Sequence, residues 1–245
     1  VQEDRPFVAV ADVIAKYLYK KYNIVECNVS DTLNLCTNGA DYIRSDWDTI
    51  IAQYDLYAQT LSQSSLTKST IWMIEPNFEQ YRAKADSVQI NGGIPADELC
   101  GKYFVEIVST IKKWLPKARI CVDITPWLSD FTTWMNNYPA DLIDCFYGGQ
   151  AASGAKFKDA DYNNVLWTDV AALYGGNTRP IFSDCGYGVD GVEVDNCGPW
   201  MVGENLTNRL EDNAMAISMS TDTYQSIVDA VLAVAPYNAQ EIQCP

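Results

Sequence analysis

The 245-residue chain contains no histidine. Without that side chain it cannot build a Ser-His-Asp triad or a Cys-His nucleophile pair, and histidine-ligated zinc and haem sites are excluded as well. Acid–base chemistry near neutral pH therefore falls to carboxylates, tyrosines, lysines or cysteines, of which carboxylates are the most numerous. We expect neither a metal nor an organic cofactor.

Basic residues are also scarce, because 17 Lys and Arg stand against 32 Asp and Glu, which gives a formal net charge of -15. This balance argues against nucleic acid and against an anionic membrane surface as partners. No apolar run approaches the roughly 20 residues that a membrane-spanning helix needs. A neutral polysaccharide or oligosaccharide is compatible with the charge, and the oligomeric state stays open.

The eight cysteines form no Cys-x-x-Cys pair, which disfavours zinc-ribbon and thioredoxin-like sites. Their even number favours disulfide bonds formed in an oxidising compartment. Sequons at Asn28 and Asn205 point the same way, and the chain begins at Val1 rather than Met. We therefore expect a secreted, disulfide-bonded glycoprotein, either a processed chain or a piece of a longer one. Proximity along the chain suggests two pairings, Cys27 with Cys36 and Cys185 with Cys197.

Short apolar runs alternate with segments of helical periodicity along the chain. Strands are predicted at Ile24–Cys27, Thr70–Glu75, Arg119–Ile124, Leu142–Tyr147, Pro180–Asp184 and Ala214–Met219, with a further one possible at Pro6–Val13. Helices are predicted at Tyr42–Leu61, Tyr103–Trp114, Leu128–Tyr138, Asn163–Tyr174 and Tyr224–Val234. The apolar face of the first helix is predicted from residues at spacings of three and four, namely Ile43, Trp47, Ile50, Tyr54, Tyr57 and Leu61.

Strand–helix units in series predict an α/β fold with a parallel sheet. A doubly wound sheet and a closed barrel both satisfy the pattern, but no glycine-rich phosphate fingerprint follows the first strand. Polar residues also occur at the carboxyl ends of many strands rather than at one switch point. We therefore predict a single domain over residues 1–245 that forms a (β/α) TIM-like barrel, possibly with fewer than eight strands.

Acidic residues lie at four successive predicted strand ends, namely Glu75, Asp123, Asp144 and Asp184. In a barrel these ends meet at one mouth, and glycoside hydrolysis needs a pair of carboxylates there. Each carboxylate also has a structural interpretation, as a hydrogen-bonded strand end or a cap on a turn. Asp144 and the neighbouring residues Asn77, Trp127, Tyr147 and Tyr187 are predicted to bind the sugar.

The segment Ile74-Glu75-Pro76-Asn77, with Val122-Asp123 and Trp127-Leu128 further on, resembles family-6 cellulases. In that family a strand ends in Ile-Glu-Pro-Asp and the final Asp donates the proton, whereas Asn77 stands here and an amide cannot do so. Phe182-Ser183-Asp184 is similar to the strand that carries the Glu nucleophile of retaining barrel glucanases, and here the shorter Asp184 stands in its place.

These patterns predict a secreted, endo-glucanase-like glycoside hydrolase that cleaves a neutral polysaccharide, a β-glucan in the first instance. Glu75 would act as general acid, Asp184 as nucleophile or base, and Asp123 would position water or tune Glu75. The alternative is a non-catalytic extracellular protein that binds carbohydrate or serves a structural role on the same scaffold. A polysaccharide lyase or a deacetylase is a weaker third interpretation, because no lysine lies at a predicted strand end and histidine is absent.

Overall fold

A computed structural model describes residues 7–23, 35–63, 70–83, 92–148, 151–157, 165–177, 179–184 and 198–218. Within these ranges the chain has an α/β fold. The predicted strand at Ile24–Cys27 and the predicted helix at Tyr224–Val234 lie outside the described residues. Neither suggested disulfide lies wholly within the described residues, because Cys27, Cys185 and Cys197 are not among them.

Six strands among the described residues form one sheet, and their order in the sheet is their order in the chain. Every pair whose register the structure defines is parallel. A sequential order without reversal differs from the doubly wound arrangement, in which strand order reverses at a switch point. The predicted parallel α/β fold is confirmed, while the closed barrel stays a prediction. The strands are β1 (Phe7–Ala11), β2 (Thr70–Ile74), β3 (Arg119–Asp123), β4 (Cys145–Tyr147), β5 (Ile181–Asp184) and β6 (Ala214–Ser218).

The helices lie between the strands, as the serial pattern predicts. They are α1 (Val13–Tyr22), α2 (Leu35–Gln63), α3 (Ala96–Glu98), α4 (Val105–Trp114), α5 (Phe131–Met135), α6 (Trp167–Ala171), α7 (Leu173–Gly176) and α8 (Gly203–Glu211). One π-helical turn, Leu99–Phe104, joins α3 to α4. Short 3-10 turns occupy Phe78–Tyr81, Ala140–Leu142 and Gly198–Met201. The sequence analysis did not anticipate α1, α3 or α8.

The longest helix, α2, buries a stripe of side chains at spacings of three and four residues. Ile43, Ile50, Tyr54 and Ala58 are fully enclosed on this stripe. Trp47 lies on the same face and its indole N–H donates to Glu106 Oε2 of α4 at 2.8 Å. The contact joins α2 to the helix that precedes β3, so the two helices and the strands they flank share one core.

The chain divides into two compact units. Unit 1 comprises Val1–Thr125 and Thr132–Phe146, and unit 2 comprises Pro126–Phe131 and Tyr147–Pro245. Strands β1, β2 and β3 lie in unit 1, whereas β5 and β6 lie in unit 2. The single domain expected from the sequence stays a prediction.

A disulfide bond links Cys121 of β3 to Cys145 of β4, 24 residues further along the chain. Both cysteines are buried, and their Cα atoms are 4.3 Å apart. The predicted use of cysteine for disulfides is therefore confirmed for this pair. Cys100, by contrast, is buried in unit 1 as a free thiol.

Replacing both Cys121 and Cys145 with alanine should lower the free energy of unfolding by about 3 kcal/mol. A closed loop of this length removes about that much conformational freedom from the unfolded chain. Urea unfolding of the double variant measures the loss. Cys100→Ala is the matched control, because it also removes a buried sulfur but no covalent link. An equal loss in the control would show that the effect comes from packing alone.

Candidate functional site

Three acidic residues lie where neighbouring strands of unit 1 end. Ala11 of β1 pairs with Ile74 of β2, and Ile74 pairs with Val122 of β3. Asp12 therefore follows β1 and Glu75 follows β2, while Asp123 is the last residue of β3. Because the strands are parallel, the three residues share the carboxyl edge of the sheet, where α/β folds place their ligand sites.

The Glu75 side chain is enclosed, with only 1% of the residue exposed. Its Oε1 accepts hydrogen bonds from the backbone N–H groups of Val13 at 2.8 Å and Ile14 at 3.0 Å. The Tyr54 hydroxyl donates a third bond to the same oxygen. Val13 and Ile14 begin α1, and the first N–H groups of a helix have no partner within it. Glu75 thus supplies the acceptor that the amino end of α1 lacks.

Burial raises the pKa of Glu75 to about 8. The nearby Asp12 charge raises this pKa further, whereas the bonds from Tyr54 and the α1 amides lower it. Burial, together with the charges of Glu75 and Asp12, also holds the pKa of Tyr81 well above its usual value. At neutral pH the Glu75 carboxyl is therefore mainly protonated, and the Tyr81 hydroxyl is neutral.

The backbone at this strand end is left-handed at two residues, with φ of 43° at Glu75 and 61° at Asn77. Asparagine enters this region readily, but for a residue such as glutamate the conformation costs roughly 1–2 kcal/mol. The three bonds to Oε1 offset that cost at Glu75. Strained backbone of this kind is concentrated at functional sites and ligand clamps.

Asn77 and Asp123 are brought together by the pairing of β2 with β3. The Asn77 backbone N–H donates to Asp123 Oδ2 at 3.4 Å. Asn77 is exposed and Asp123 is half-buried, so the residue that carries the side-chain amide is bonded through its backbone to the carboxylate at the surface of unit 1. The arrangement offers both donors and acceptors to a polar ligand.

Asp144 does not lie at a strand's carboxyl end, and the sequence analysis was wrong on this point. β4 begins at Cys145, so Asp144 precedes the strand. Its carboxylate accepts bonds from the Arg119 guanidinium at 2.8 Å and from the Ile120 backbone N–H at 2.9 Å, at the start of β3. Asp144 therefore belongs to an ion pair at the amino edge of the sheet, opposite the edge that carries Asp123.

The remaining predicted residues belong to unit 2. Asp184 is the last residue of β5 and pairs in register with Ser218 of β6. Tyr147 ends β4 and is buried, while Trp127 follows β3 and is half-buried. Tyr187 lies outside the described residues. The structure thus groups Glu75, Asn77 and Asp123 in unit 1 and leaves Asp184 in unit 2.

The sequence analysis missed three members of the carboxyl edge, Asp12, Tyr54 and Tyr81. Asp12 carried a usable signal, because it directly follows the apolar run Phe7–Ala11 that forms β1. Tyr54 was assigned to the core stripe of α2, and nothing in the periodicity shows that its hydroxyl reaches Glu75. Tyr81 lies on a 3-10 turn that the sequence pattern does not predict.

No protein-family model matches the chain, and no curated protein matches its sequence. Among the described residues, no three His, Cys, Asp or Glu side chains are grouped so that they could hold a metal ion. None of the described helices is both long and apolar enough to cross a bilayer. The resemblances to cellulases and glucanases therefore stand on the quoted motifs.

Proposed function

We propose that the chain binds a neutral polysaccharide at the carboxyl edge of unit 1 without using Glu75 as a proton donor. The enclosure of Glu75 carries this proposal. Glu75 is only 1% exposed, and its Oε1 is engaged by the amino end of α1 and by Tyr54, so a glycosidic oxygen cannot reach the carboxyl unless the elements that enclose it, α1 among them, move. A general acid must come within hydrogen-bond reach of its substrate.

Asn77 and Asp123 are the groups that would contact the saccharide. The exposed Asn77 amide both donates and accepts, and the half-buried Asp123 carboxylate accepts. Adjacent sugar hydroxyls need this combination, since each hydroxyl donates one hydrogen bond and accepts others. The net charge of -15 favours a glycan without negative groups at this edge. Trp127 and Tyr147 stay proposals for sugar stacking in unit 2.

A second candidate is the secreted glycoside hydrolase that the sequence suggests. Its specific support is the pKa of Glu75, which burial raises to about 8, because a general acid must hold its proton at the working pH. Asp184 would then be the nucleophile or base, and Asp123 would tune Glu75. This mechanism requires the amino end of α1 to move away from Glu75 before the substrate is protonated.

The test measures both binding and cleavage on a panel of β-glucans, xylan, mannan and chitosan. Asn77→Gly keeps a residue suited to the left-handed backbone and removes only the amide, so we expect it to weaken glycan binding about tenfold. Asp123→Ala should do the same. Asn23→Gly is the matched control, because Asn23 is an exposed asparagine of unit 1 with a left-handed backbone (φ 50°), and it lies at the opposite end of α1 from Glu75.

The two candidates predict different sugar release. Binding without release of reducing sugar supports the non-catalytic function. Release that is lost in both Glu75→Gln and Asp184→Asn, with folding intact, would establish hydrolysis instead. If no glycan of the panel is bound or cleaved, both candidates are wrong.

A further inference from the structure

A cleft of about 950 Å³ lies in unit 1 along β1, between α1 and α2. Its volume is within the range of small-molecule sites, which are mainly apolar with a few placed polar groups. Val8 and Val10 of β1 line it and are 43% and 59% exposed. Single exposed apolar side chains are ordinary, but a group of neighbouring ones that lines a cleft marks a candidate ligand site.

The α2 wall of the cleft departs from the sequence prediction. Periodicity assigns Tyr57 and Leu61 to the buried stripe of α2, but Tyr57 is 48% exposed and lines the cleft together with Leu61. The stripe instead continues from Tyr54 to Ala58, one position beyond Tyr57. Tyr57 therefore offers an aromatic surface to the cleft rather than to the core.

Positive charge is concentrated on the α1 side of the cleft. Lys16 and Lys20 are one helical turn apart, both are exposed, and both line the cleft. Lys21 also lines it, but its ammonium group is paired with Asp46 at 2.7 Å. Asp12 is the only acidic residue among the described residues that line the cleft, and its charge raises the pKa of Glu75.

We propose that this cleft binds an organic anion with an apolar body, such as a carboxylate on an aliphatic chain. The apolar body would cover Val8, Val10 and Tyr57, and the anionic head would pair with Lys16 and Lys20. Charge complementarity selects this class, because Lys16 and Lys20, which have no ion-pair partner among the described residues, border an apolar surface. An uncharged apolar ligand would not interact with the lysines, and a saccharide would leave the two valine side chains exposed to water.

Calorimetric titration of the full chain with decanoate, and with decanol as its uncharged counterpart, tests the site. The double variant Lys16→Gln/Lys20→Gln should weaken decanoate binding about tenfold and leave decanol binding unchanged. Lys117→Gln is the matched control, because Lys117 is an exposed lysine of unit 1 that does not line the cleft. Val10→Ser should weaken binding of both ligands.

Three results would overturn the proposal. If decanoate and decanol bind equally tightly, the lysines have no role in binding. If the loss of binding free energy for each charge removed is the same in the lysine double variant and in Lys117→Gln, the effect is one of net charge only. If decanoate does not bind and the chain self-associates until Val10→Ser disperses it, the cleft is an interface between copies. Val8→Ser replaces Val10→Ser if the latter does not fold, as judged by circular dichroism.

Discussion

Glu75→Ala should lower the free energy of unfolding by about 3–5 kcal/mol, the largest effect of any single substitution at the carboxyl edge. The change leaves the Val13 and Ile14 amides and the Tyr54 hydroxyl without their shared acceptor in an enclosed site. Each buried polar group without a partner costs roughly 1–3 kcal/mol, and the cavity adds to the loss. Urea unfolding at mildly acidic pH measures it.

Glu75→Gln separates the loss of the acceptor from the loss of charge. The amide oxygen can accept the same three bonds, and glutamine matches the protonated carboxyl in size and in charge. We expect its cost to stay below about 1 kcal/mol when Glu75 is protonated. Asp48→Ala, an exposed position of α2, should be nearly neutral. A small effect of Glu75→Ala would contradict the assignment of Glu75 as the cap of α1.

The free energy of unfolding should fall as pH rises from about 5 to about 8. The folded state holds the Glu75 proton up to a pKa of about 8, while the unfolded chain releases it near the ordinary glutamate pKa of 4.5. Between these values the folded state binds more protons, so raising the pH favours unfolding. A pKa difference of one corresponds to about 1.4 kcal/mol, which makes the total loss on the order of 4 kcal/mol.

The same series on Glu75→Gln isolates this dependence, because the variant has no proton to lose at position 75. Asp46 and Asp55 act with the opposite sign, since Lys21 and Lys113 hold their pKa values below the usual range. Their stabilisation is present at neutral pH and is lost only as pH falls through the acid range. An equal slope in the variant and the unmodified chain would show that Glu75 does not titrate as described.

Both experiments bear on function, because they decide whether α1 holds Glu75 in place. If ionisation of Glu75 weakens the folded state, opening of the α1 amino end should become easier as pH rises. The hydrolase candidate needs that opening and also needs Glu75 protonated, and the two requirements oppose each other. The non-catalytic candidate has neither requirement, which is why the enclosure of Glu75 favours it.

The sequence predicts those helices and strands whose apolar side chains recur at the regular spacing of a helix or in a continuous strand-like run. The run Thr70–Ile74 reads as a buried strand and forms β2, and the spacing of Ile43, Trp47 and Ile50 is that of a helix and forms α2. Strand ends follow from the same runs, which is why Asn77 and Asp123 are correctly expected to meet at one edge. These features depend on local patterns that tertiary contacts reinforce.

Features that depend on contacts between distant segments are not predictable in this way. Glu75 is sealed by α1 and α2, which lie 61 and 21 residues away at Ile14 and Tyr54. Asp144 is displaced because its pairing with Arg119 holds the residue outside β4, although the apolar run continues through Leu142 and Ile143. In each case a hydrogen-bond partner elsewhere in the chain decides where the residue lies, and the periodicity of the sequence does not reveal that partner.

The bond between Cys121 and Cys145 also has a mechanical consequence. A pull on the two chain ends passes through the sulfur atoms, so the stretch between these cysteines, which are 24 positions apart, carries no tension. The stretch contains the turn after Asp123 and the helix α5, and it stays shielded while the strands on either side are drawn apart. Under load, β3 and β4 therefore behave as one segment rather than two, and an applied force must first separate the neighbouring strand pairs.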